Sequence, residues 1–297
     1  MKIISLIPSA TEIVCSLGLF DKLIGVSHEC DNPKHVLNLP RLTKSNIKLN
    51  QSSLDINTEI KKILSLGLSV YEVDTDLLKN LNPDIIITQS QCSVCAVSLS
   101  QIEICLESWL GRKPLLIDLQ PKKLNDILND IKQIGINCGA LEKAKSIINT
   151  YNSHVKEVKI KLKNTKRKNV LCVEWLDPIM IAGNWVPELV KLAKGKSVFA
   201  NSGGHSKFIK IDELKFSEFE KVIYMPCGYD ILKSKNELLS HNFLDKKFSS
   251  KENYIVDGNK YFNRPGPSLI ENINILCEIL HPNLFKPNPS SKRWIKI

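Results

Sequence analysis

Short runs of β-branched and other apolar residues alternate along the chain with longer segments in which apolar residues recur every three or four positions. The short runs predict strands and the longer segments predict amphipathic helices. Strands that are separated by helices are typical of a parallel sheet covered on both faces. The predicted strands are 3–7, 23–27, 84–89, 115–119, 170–175, 221–225 and 254–256, and the clearest helices are 9–17, 54–66, 122–134 and 187–192.

The middle of the chain predicts one long helix. Residues 140–164 contain neither proline nor glycine, and Leu141, Ala144, Ile148 and Tyr151 follow one another at helical spacing. A strand follows at once. We therefore predict an α/β fold of two Rossmann-like lobes with parallel sheets, joined by one long rigid helix. The predicted domains are an N-terminal lobe over 1–139, the connecting helix over 140–166 and a C-terminal lobe over 167–297.

The start of the first helix predicts a capping box. Ser9 is followed three residues later by Glu12, and Gly18 ends the apolar pattern. A helix amino terminus that faces a cleft also attracts polar groups of a ligand. We expect the capping role of Ser9 to be the dominant one.

The net positive charge of the chain does not by itself indicate a nucleic-acid partner. The formal net charge is +10, yet only five of the 41 basic residues are arginine. The densest run, 156–168, contains no aromatic residue on which bases could stack, so a solvated helix end is favoured over a nucleic-acid site. No apolar stretch approaches the roughly 18 residues of a membrane span. We expect no nucleic-acid partner, no membrane insertion and a monomer.

The first residues and the cysteines favour an intracellular protein. Only the short apolar run 3–7 precedes Pro8, which reads as a strand and not as an export signal. The nine cysteines are odd in number, and several lie in apolar runs, which is typical of reduced, buried thiols. The sequence thus predicts a cytoplasmic location, with a periplasmic one as the alternative if an export signal lies upstream of Met1.

Polar, aromatic and thiol side chains gather directly after the predicted strands. In an open parallel sheet, ligands bind beyond the carboxyl ends of the strands. Aromatic residues in such loops indicate walls for a large flat apolar ligand, and neighbouring polar groups would fix its orientation. The candidate residues are His28, Glu29, Gln89, Gln91, Cys92, Cys95, Glu174, Trp175, Trp185, Tyr229, Phe262, Asn263 and Arg264.

Two alternative chemistries remain open on the same residues. His28, Cys30, Cys92 and Cys95 could bind zinc or iron, because thiolates and imidazole are suitable ligands for both. A single CxxC pair could also be a redox pair. Glu174 could act as a general acid, although orienting a ligand is favoured. A cytosolic metal-dependent enzyme or metal-binding protein is therefore the alternative to a non-catalytic binding protein.

Several motifs resemble one family. Ser5-Leu-Ile-Pro-Ser-Ala-Thr-Glu12, Gly25-Val-Ser-His-Glu-Cys-Asp31 and Leu81-Asn-Pro-Asp-Ile-Ile-Ile-Thr-Gln89 are similar to the first lobe of the cobalamin and iron-siderophore periplasmic binding proteins, the class III substrate-binding proteins. The later segments 170–178, 182–188 and 261–267 match in the same order. Gln91-Cys-x-x-Cys95 and Met225-Pro-Cys-Gly228 resemble a cobalamin-binding subgroup, here without a signal peptide.

The resemblance implies a function and roles for these residues. It implies a corrinoid bound in a cleft between two lobes and, in an exported protein, delivery to an ABC permease. His28 would be the cobalt ligand, and Trp175, Trp185 and Phe262 would be apolar walls. Polar groups would bond to the amides or phosphate of the ligand, namely those of Gln89, Gln91, Glu174, Asn263 and Arg264.

Overall fold

The structure, a computed structural model, describes residues 1–48, 50–66, 69–90, 99–107, 109, 112–240, 246–287 and 292–297, with the backbone alone for 99–101, 246 and 247. The chain divides into two compact units. The first contains Met1–Gln51, Asp55–Pro121 and Asp126–Ile148. The second contains Ser52–Leu54, Lys122–Asn125 and Asn149–Ile297.

The first unit contains a parallel sheet of four strands. The strands are β1 (Ile3–Ser5), β2 (Leu23–Val26), β5 (Ile85–Gln89) and β6 (Leu115–Leu119), in the order β2-β1-β5-β6. All their described pairings are parallel, and Ile3, Ile4 and Ser5 of β1 lie opposite Ile85, Ile86 and Ile87 of β5. The strands are apolar on both faces, which explains why helices cover both.

A two-stranded antiparallel ribbon adjoins this sheet. It consists of β3 (Thr43–Ser45) and β4 (Tyr71–Val73), and Thr43 lies opposite Val73. The ribbon matters for the site, because Thr43 and Tyr71 both contact the loop that follows β2. The helices that lie wholly or largely in this unit are α1 (Pro8–Ser16), α2 (Ser53–Ser65), α3 (Thr75–Leu81), α4 (Leu99–Glu107) and α5 (Leu124–Asn137).

Helix α6 (Leu141–Lys161) is 21 residues long. At 1.5 Å per residue it extends for about 32 Å. Its residues up to Ile148 belong to the first unit and those from Asn149 to the second. Of the predicted apolar face, Ala144 and Tyr151 are buried and Leu141 and Ile148 are half-buried. Val155, Val158 and Leu162 continue the buried face at helical spacing.

The second unit contains a mixed sheet with a parallel centre. The central strands β7 (Lys168–Trp175), β11 (Lys221–Tyr224) and β12 (Glu252–Val256) are parallel neighbours. Strand β9 (Gly195–Ser197) runs parallel to the start of β7. The edges are antiparallel and are formed by β8 (Met180–Ile181), β10 (Lys207–Phe208) and β13 (Trp294–Lys296).

The core of the second unit forms around β7 and β11. Leu171, Val173, Val222 and Tyr224 are fully buried and pack with Phe219 and other apolar side chains. Burial of a large apolar side chain contributes about 1.5–3 kcal/mol, so this cluster is a main source of the unit's stability. The remaining helices are α7 (Val186–Leu192), α8 (Ile231–Ser240), α9 (Lys246–Ser249) and α10 (Leu269–Leu280).

The predicted fold class is confirmed, and one local prediction is wrong. All seven predicted strands are present to within two residues at each end. The capping box is absent: helix α1 begins at Pro8 after Ile7, without a side-chain cap, and the buried Ser9 hydroxyl has no hydrogen-bond partner among the described residues. Proline pre-organises the first helical turn by itself. None of the described helices has the length and apolarity of a membrane span.

Candidate functional site

The loop after β2 places His28 next to the β3–β4 ribbon. The imidazole Nδ1 lies 2.6 Å from Thr43 Oγ1, and the backbone N–H of His28 donates to the same oxygen at 2.9 Å. The Thr43 hydroxyl donates to Ser27 Oγ at 3.0 Å. With the Thr43 hydroxyl donating to Ser27, Thr43 Oγ1 acts as an acceptor towards His28, which corresponds to the Nδ1–H tautomer of the ring.

This arrangement defines the chemical state of His28. The neutral ring has its lone pair on Nε2, which is buried and has no hydrogen-bond partner among the described residues. Burial lowers the pKa of His28, and the positive charge of Arg41 lowers it further. A neutral imidazole with a free Nε2 is the form that coordinates a metal centre.

The rest of the loop is held by a dense set of hydrogen bonds. Arg41 Nη1 donates to the carbonyls of Ser27 at 2.8 Å and Cys30 at 2.7 Å. Tyr71 OH donates to Glu29 Oε1 at 2.9 Å. The Tyr71 ring centroid is 5.2 Å from that of His28. The ribbon therefore orients both His28 and Glu29, as a preorganised binding site requires.

Cys30 is placed away from solvent. Its side chain is 1% exposed, and Sγ lies 3.1 Å from Thr11 Oγ1. Among the described residues there is no group of three or more His, Cys, Asp or Glu side chains that could hold a metal ion. The other two residues of the predicted metal set, Cys92 and Cys95, lie outside the described residues, as does Gln91. The zinc or iron site stays a prediction.

The end of β5 carries a second polar group in the first unit. Gln89 is 7% exposed. The Ser90 hydroxyl that follows it donates to Asp118 Oδ2 at 2.5 Å, and Gln120 Nε2 donates to the same carboxylate oxygen at 2.7 Å. These contacts join the carboxyl ends of β5 and β6, where the strand-end rule places a ligand.

In the second unit, β7 ends at Glu174 and Trp175. Ser206 Oγ donates to Glu174 Oε2 at 2.6 Å, and the N–H of Gly183 donates to Ser206 Oγ at 3.0 Å. Trp175 is partly buried, and its Nε1 donates to the carbonyls of Asp177 at 3.1 Å and Ser53 at 3.2 Å. Both side chains are therefore held in place and still retain exposed surface.

Tyr229 packs against Trp175 from the loop after β11. The two ring centroids are 5.3 Å apart at an interplanar angle of 63°. Lys233 Nζ lies 3.9 Å from the centroid of the Tyr229 ring. Tyr229 is 2% exposed, and burial, with the charge of Glu237, raises the pKa of its phenol. Tyr229 thus supports Trp175 from behind, in an edge-to-face arrangement.

Trp185 and Phe262 form a second aromatic pair inside the unit. Trp185 is 6% exposed, and its Nε1 donates to the Phe262 carbonyl at 2.9 Å. Phe262 exposes none of its side chain and has a φ of +68°, in the left-handed region that is costly for a bulky residue. In this structure the two residues stabilise the loop and present little surface to a ligand.

Asn263 and Arg264 also bond within the unit. Asn263 Nδ2 donates to the carbonyls of Met225 at 2.9 Å and Gly258 at 2.8 Å. Arg264 is 6% exposed, and its Nη2 donates to Asn259 Oδ1 at 3.0 Å. Asn263 connects the loops after β11 and β12, and Arg264 bonds within the loop after β12, so both side chains fix the shape of this edge.

The predicted residues thus form two clusters, one in each unit. His28 and Glu29 come together in the first unit, and Glu174, Trp175 and Tyr229 in the second. Sequence reasoning missed the residues that hold them, namely Thr43, Tyr71 and Ser206. The alternation of Tyr71-Glu72-Val73 indicates a strand, but the site is evident only once its antiparallel partner is known.

Two α/β units with polar and aromatic groups at the carboxyl edges of their sheets define the fold of a small-molecule-binding protein. The comparison with known families agrees. Residues 3–257 match the family described as "Periplasmic binding protein". The chain belongs to this family, which confirms the resemblance found in the sequence.

Individual relatives cover nearly the whole chain. An ABC transporter substrate-binding lipoprotein of Bacillus subtilis is 23% identical over 96% of this chain and 81% of its own length. A vitamin B12-binding protein of Vibrio vulnificus is 25% identical over 93% of this chain and 89% of its own. A periplasmic heme-binding protein from Pseudomonas aeruginosa has the same fold, with a TM-score of 0.73 at 16% identity over 99% of this chain and 97% of that chain.

The predicted cytoplasmic location is wrong. The family is one of periplasmic binding proteins, and a relative that spans the chain is a lipoprotein. The inference depended on the apolar run 3–7, which forms β1 of the fold, and on reduced cysteines. The thiols of Cys30, Cys172 and Cys277 are buried in the described core, and burial of a thiol carries no information about the compartment.

Proposed function

We propose that the chain is the substrate-binding protein of an ABC-type importer and that it binds a cobalamin-like corrinoid without converting it. The observation that carries the proposal is His28, whose neutral Nδ1–H tautomer keeps Nε2 free of hydrogen bonds among the described residues. The similarity to a vitamin B12-binding protein supports the choice of ligand.

His28 would coordinate the cobalt of the corrinoid through Nε2, which is buried in the ligand-free structure and would be uncovered as the ligand binds. A histidine that coordinates a metal almost always donates its other ring N–H to an acceptor, and Thr43 Oγ1 lies 2.6 Å from Nδ1. The lowered pKa keeps the ring neutral over the physiological pH range. Glu29, held by Tyr71, would accept hydrogen bonds from amides of the same ligand.

The second cluster would bind the flat, apolar part and the amide side chains of the ligand. Trp175 retains exposed surface and is held by its Nε1 bonds and by Tyr229, so it can stack on a macrocycle with little loss of conformational entropy. Glu174 would accept from ligand amides. Among the other predicted ligand-binding residues, Gln89 would act at the ligand itself, whereas Trp185, Phe262, Asn263 and Arg264 would act by shaping the loops.

Heme is the second candidate, because a protein with the same fold binds it and histidine is also a ligand of heme iron. Isothermal titration of the purified chain with hydroxocobalamin, hemin and a ferric catecholate siderophore separates the candidates. We expect saturable one-to-one binding of the corrinoid and at least tenfold weaker binding of the others. If hemin binds more tightly than the corrinoid, heme is the ligand. If none of the three compounds binds, the proposal is refuted.

The transport role needs a test in cells. Uptake of radiolabelled cobalamin is compared between cells that carry and cells that lack the gene. We expect uptake at nanomolar concentration to depend on the gene and to be restored by wild-type protein. Restoration by the His28→Ala variant to the wild-type level would contradict the assigned role of His28.

A further inference from the structure

The basic run at the end of α6 is not used by the proposed ligand site. Residues 156–168 contain seven cations and a single carboxylate, Glu157. Lysines in the last turn of a helix stabilise the negative end of its dipole. That effect accounts for Lys159 and Lys161. It does not account for Lys166 and Arg167, which follow the end of the helix and are exposed.

The exposed cations lie together with an exposed apolar side chain. Lys156, Lys159, Ile160 and Lys163 follow one another at helical spacing beside the buried face of α6, and all four are exposed. Ile160 is 75% exposed, more than any other large apolar side chain of the described residues. An exposed apolar side chain between lysines can contact the boundary between headgroups and acyl chains while the cations contact the headgroups.

A further lysine joins this surface from the loop after α7. Lys194 Nζ lies 3.4 Å from the carbonyl of Lys163, and Lys194 has a φ of +55°. Among the described residues, none of the cations at positions 156, 159, 163, 166 and 167 has a carboxylate within 4.0 Å, whereas Lys168 pairs with Glu220 at 3.3 Å. The surface therefore has an uncompensated positive charge.

His281 bonds to Ala193, the residue that precedes Lys194. This side chain is 8% exposed, and its Nε2 lies 3.0 Å from the Ala193 carbonyl. Burial lowers the pKa of His281, and the positive charges of Lys168, Lys221 and Lys194 lower it further. Lys168 and Lys221 are paired with Glu220 and Glu252, so the excess positive charge of this edge rests on the cations of the basic run and on Lys194.

From this surface we infer that the second unit docks on an anionic phospholipid bilayer. The docking surface consists of Lys156, Lys159, Ile160, Lys163, Lys166, Arg167 and Lys194. Each lysine or arginine near an anionic membrane adds to the attraction, so six cations suffice for reversible binding. The exposed Ile160 would insert between the headgroups.

A nucleic acid fits this surface less well than a bilayer does. Arginine provides the bidentate phosphate contacts that nucleic-acid sites favour, and only Arg167 is an arginine here. The run 156–168 has no aromatic side chain for stacking on bases. An apolar aliphatic side chain such as Ile160 has a natural place at a lipid surface.

Vesicle flotation tests the inference on ligand-free protein, so its result is independent of the corrinoid proposal. The probes are vesicles of phosphatidylcholine with and without phosphatidylglycerol. We expect at least about tenfold stronger partition onto the anionic vesicles, lost on raising the salt concentration. The variant Lys159→Glu/Lys163→Glu/Arg167→Glu should lose most of this binding. The variant Ile160→Ser should bind more weakly than wild type and retain only the electrostatic attraction, which salt abolishes.

A matched control separates a defined surface from the general net charge. The variant Lys207→Glu/Lys210→Glu/Lys235→Glu changes the charge by the same amount at three exposed lysines outside the docking surface. It should bind the anionic vesicles as wild type does. Equal loss in both triple variants, or no preference of wild type for anionic vesicles, would overturn the inference. So would binding to duplex DNA that is tighter than binding to the vesicles.

Discussion

His28 Nδ1 lies 2.6 Å from Thr43 Oγ1, although fifteen residues separate the two along the chain. The contact exists because Thr43 begins β3, which pairs with β4 beside the loop that follows β2. Thr43 Oγ1 also accepts the backbone N–H of His28. One threonine therefore sets both the ring orientation and the backbone position of the proposed cobalt ligand.

Replacing Thr43 by valine keeps the shape of the side chain and removes the acceptor. The imidazole then loses its orienting bond, and its Nδ1–H and the backbone N–H of His28 lose their partner. We expect the Kd for hydroxocobalamin to rise about 5- to 10-fold, because the loss of the bond that orients the ring weakens coordination by about the net contribution of one hydrogen bond. Isothermal titration measures it, with Thr43→Ser as the control. An unchanged Kd for Thr43→Val would contradict the positioning role of Thr43.

Ligand binding should weaken in acid with a midpoint below the ordinary pKa of histidine. Burial and Arg41 lower the pKa of His28, so the neutral, coordinating form persists below pH 6.5. We expect the affinity to be constant above about pH 6.5 and to fall below it, since a protonated imidazole has no free lone pair. As the pH falls, His28 is protonated at a higher pH in the unfolded chain than in the folded chain. The free energy of unfolding therefore also falls with falling pH. Titrations of His28→Ala should lack the step in affinity.

Two tryptophans of the second unit should respond differently to substitution. Trp175 is partly exposed, so Trp175→Ala should raise the Kd about 10- to 100-fold while changing stability little. Trp185 is 6% exposed and bonds to Phe262, so Trp185→Ala should lower the free energy of unfolding by about 3–5 kcal/mol. Denaturant unfolding and ligand titration of both variants give the comparison. A loss of affinity in Trp185→Ala and a loss of stability in Trp175→Ala would show that Trp185 is the residue in contact with the ligand.

Asp130 of α5 should make folding less favourable at alkaline pH. It is 9% exposed, and its Oδ2 has no hydrogen-bond partner among the described residues. Burial raises the pKa of Asp130 to about 7, with added repulsion from Asp126 and Asp118. Because the folded chain holds this proton more tightly than the unfolded chain, stability falls as the pH rises from about 4 to 7.

The substitution Asp130→Asn removes this titration. We expect the variant to gain about 1–2 kcal/mol relative to wild type at pH 8 and to lose that gain near pH 5, since the amide remains buried. Urea unfolding across this pH range measures the difference. The exposed Glu103→Gln on α4 is the control for the loss of one negative charge, and it should not change the pH dependence. The prediction would be contradicted if the free energy of unfolding of wild type rose between pH 5 and 8 relative to that of Asp130→Asn.

The period of the apolar residues was sufficient to predict the two α/β units, because buried parallel strands are continuous apolar runs. The β3–β4 ribbon was not predictable in the same way. Thr43-Lys44-Ser45 is only three residues long and polar, and its structure depends on pairing with Tyr71–Val73. Strands β8 and β10, of two residues each, are likewise defined by their neighbours.

The same limit applies to the site. The strand-end rule identified His28, Glu29, Glu174 and Trp175, because position after a strand is a local property. It could not show that Phe262 has no exposed side-chain surface, which depends on packing between distant loops. The Ser206 contact of Glu174 spans 32 residues and leaves no local pattern in the sequence.

The central claim is that the chain binds a corrinoid through His28, and a titration of hydroxocobalamin followed by visible absorption tests it most directly. Exchange of the axial oxygen ligand for an imidazole changes the corrin spectrum. Size-exclusion chromatography shows whether the corrinoid co-elutes with the protein. We predict a saturable spectral change at one corrinoid per chain in wild type, with His28→Ala giving weaker binding without that change. An unchanged spectrum and no co-elution of corrinoid with the folded wild-type protein would contradict the account.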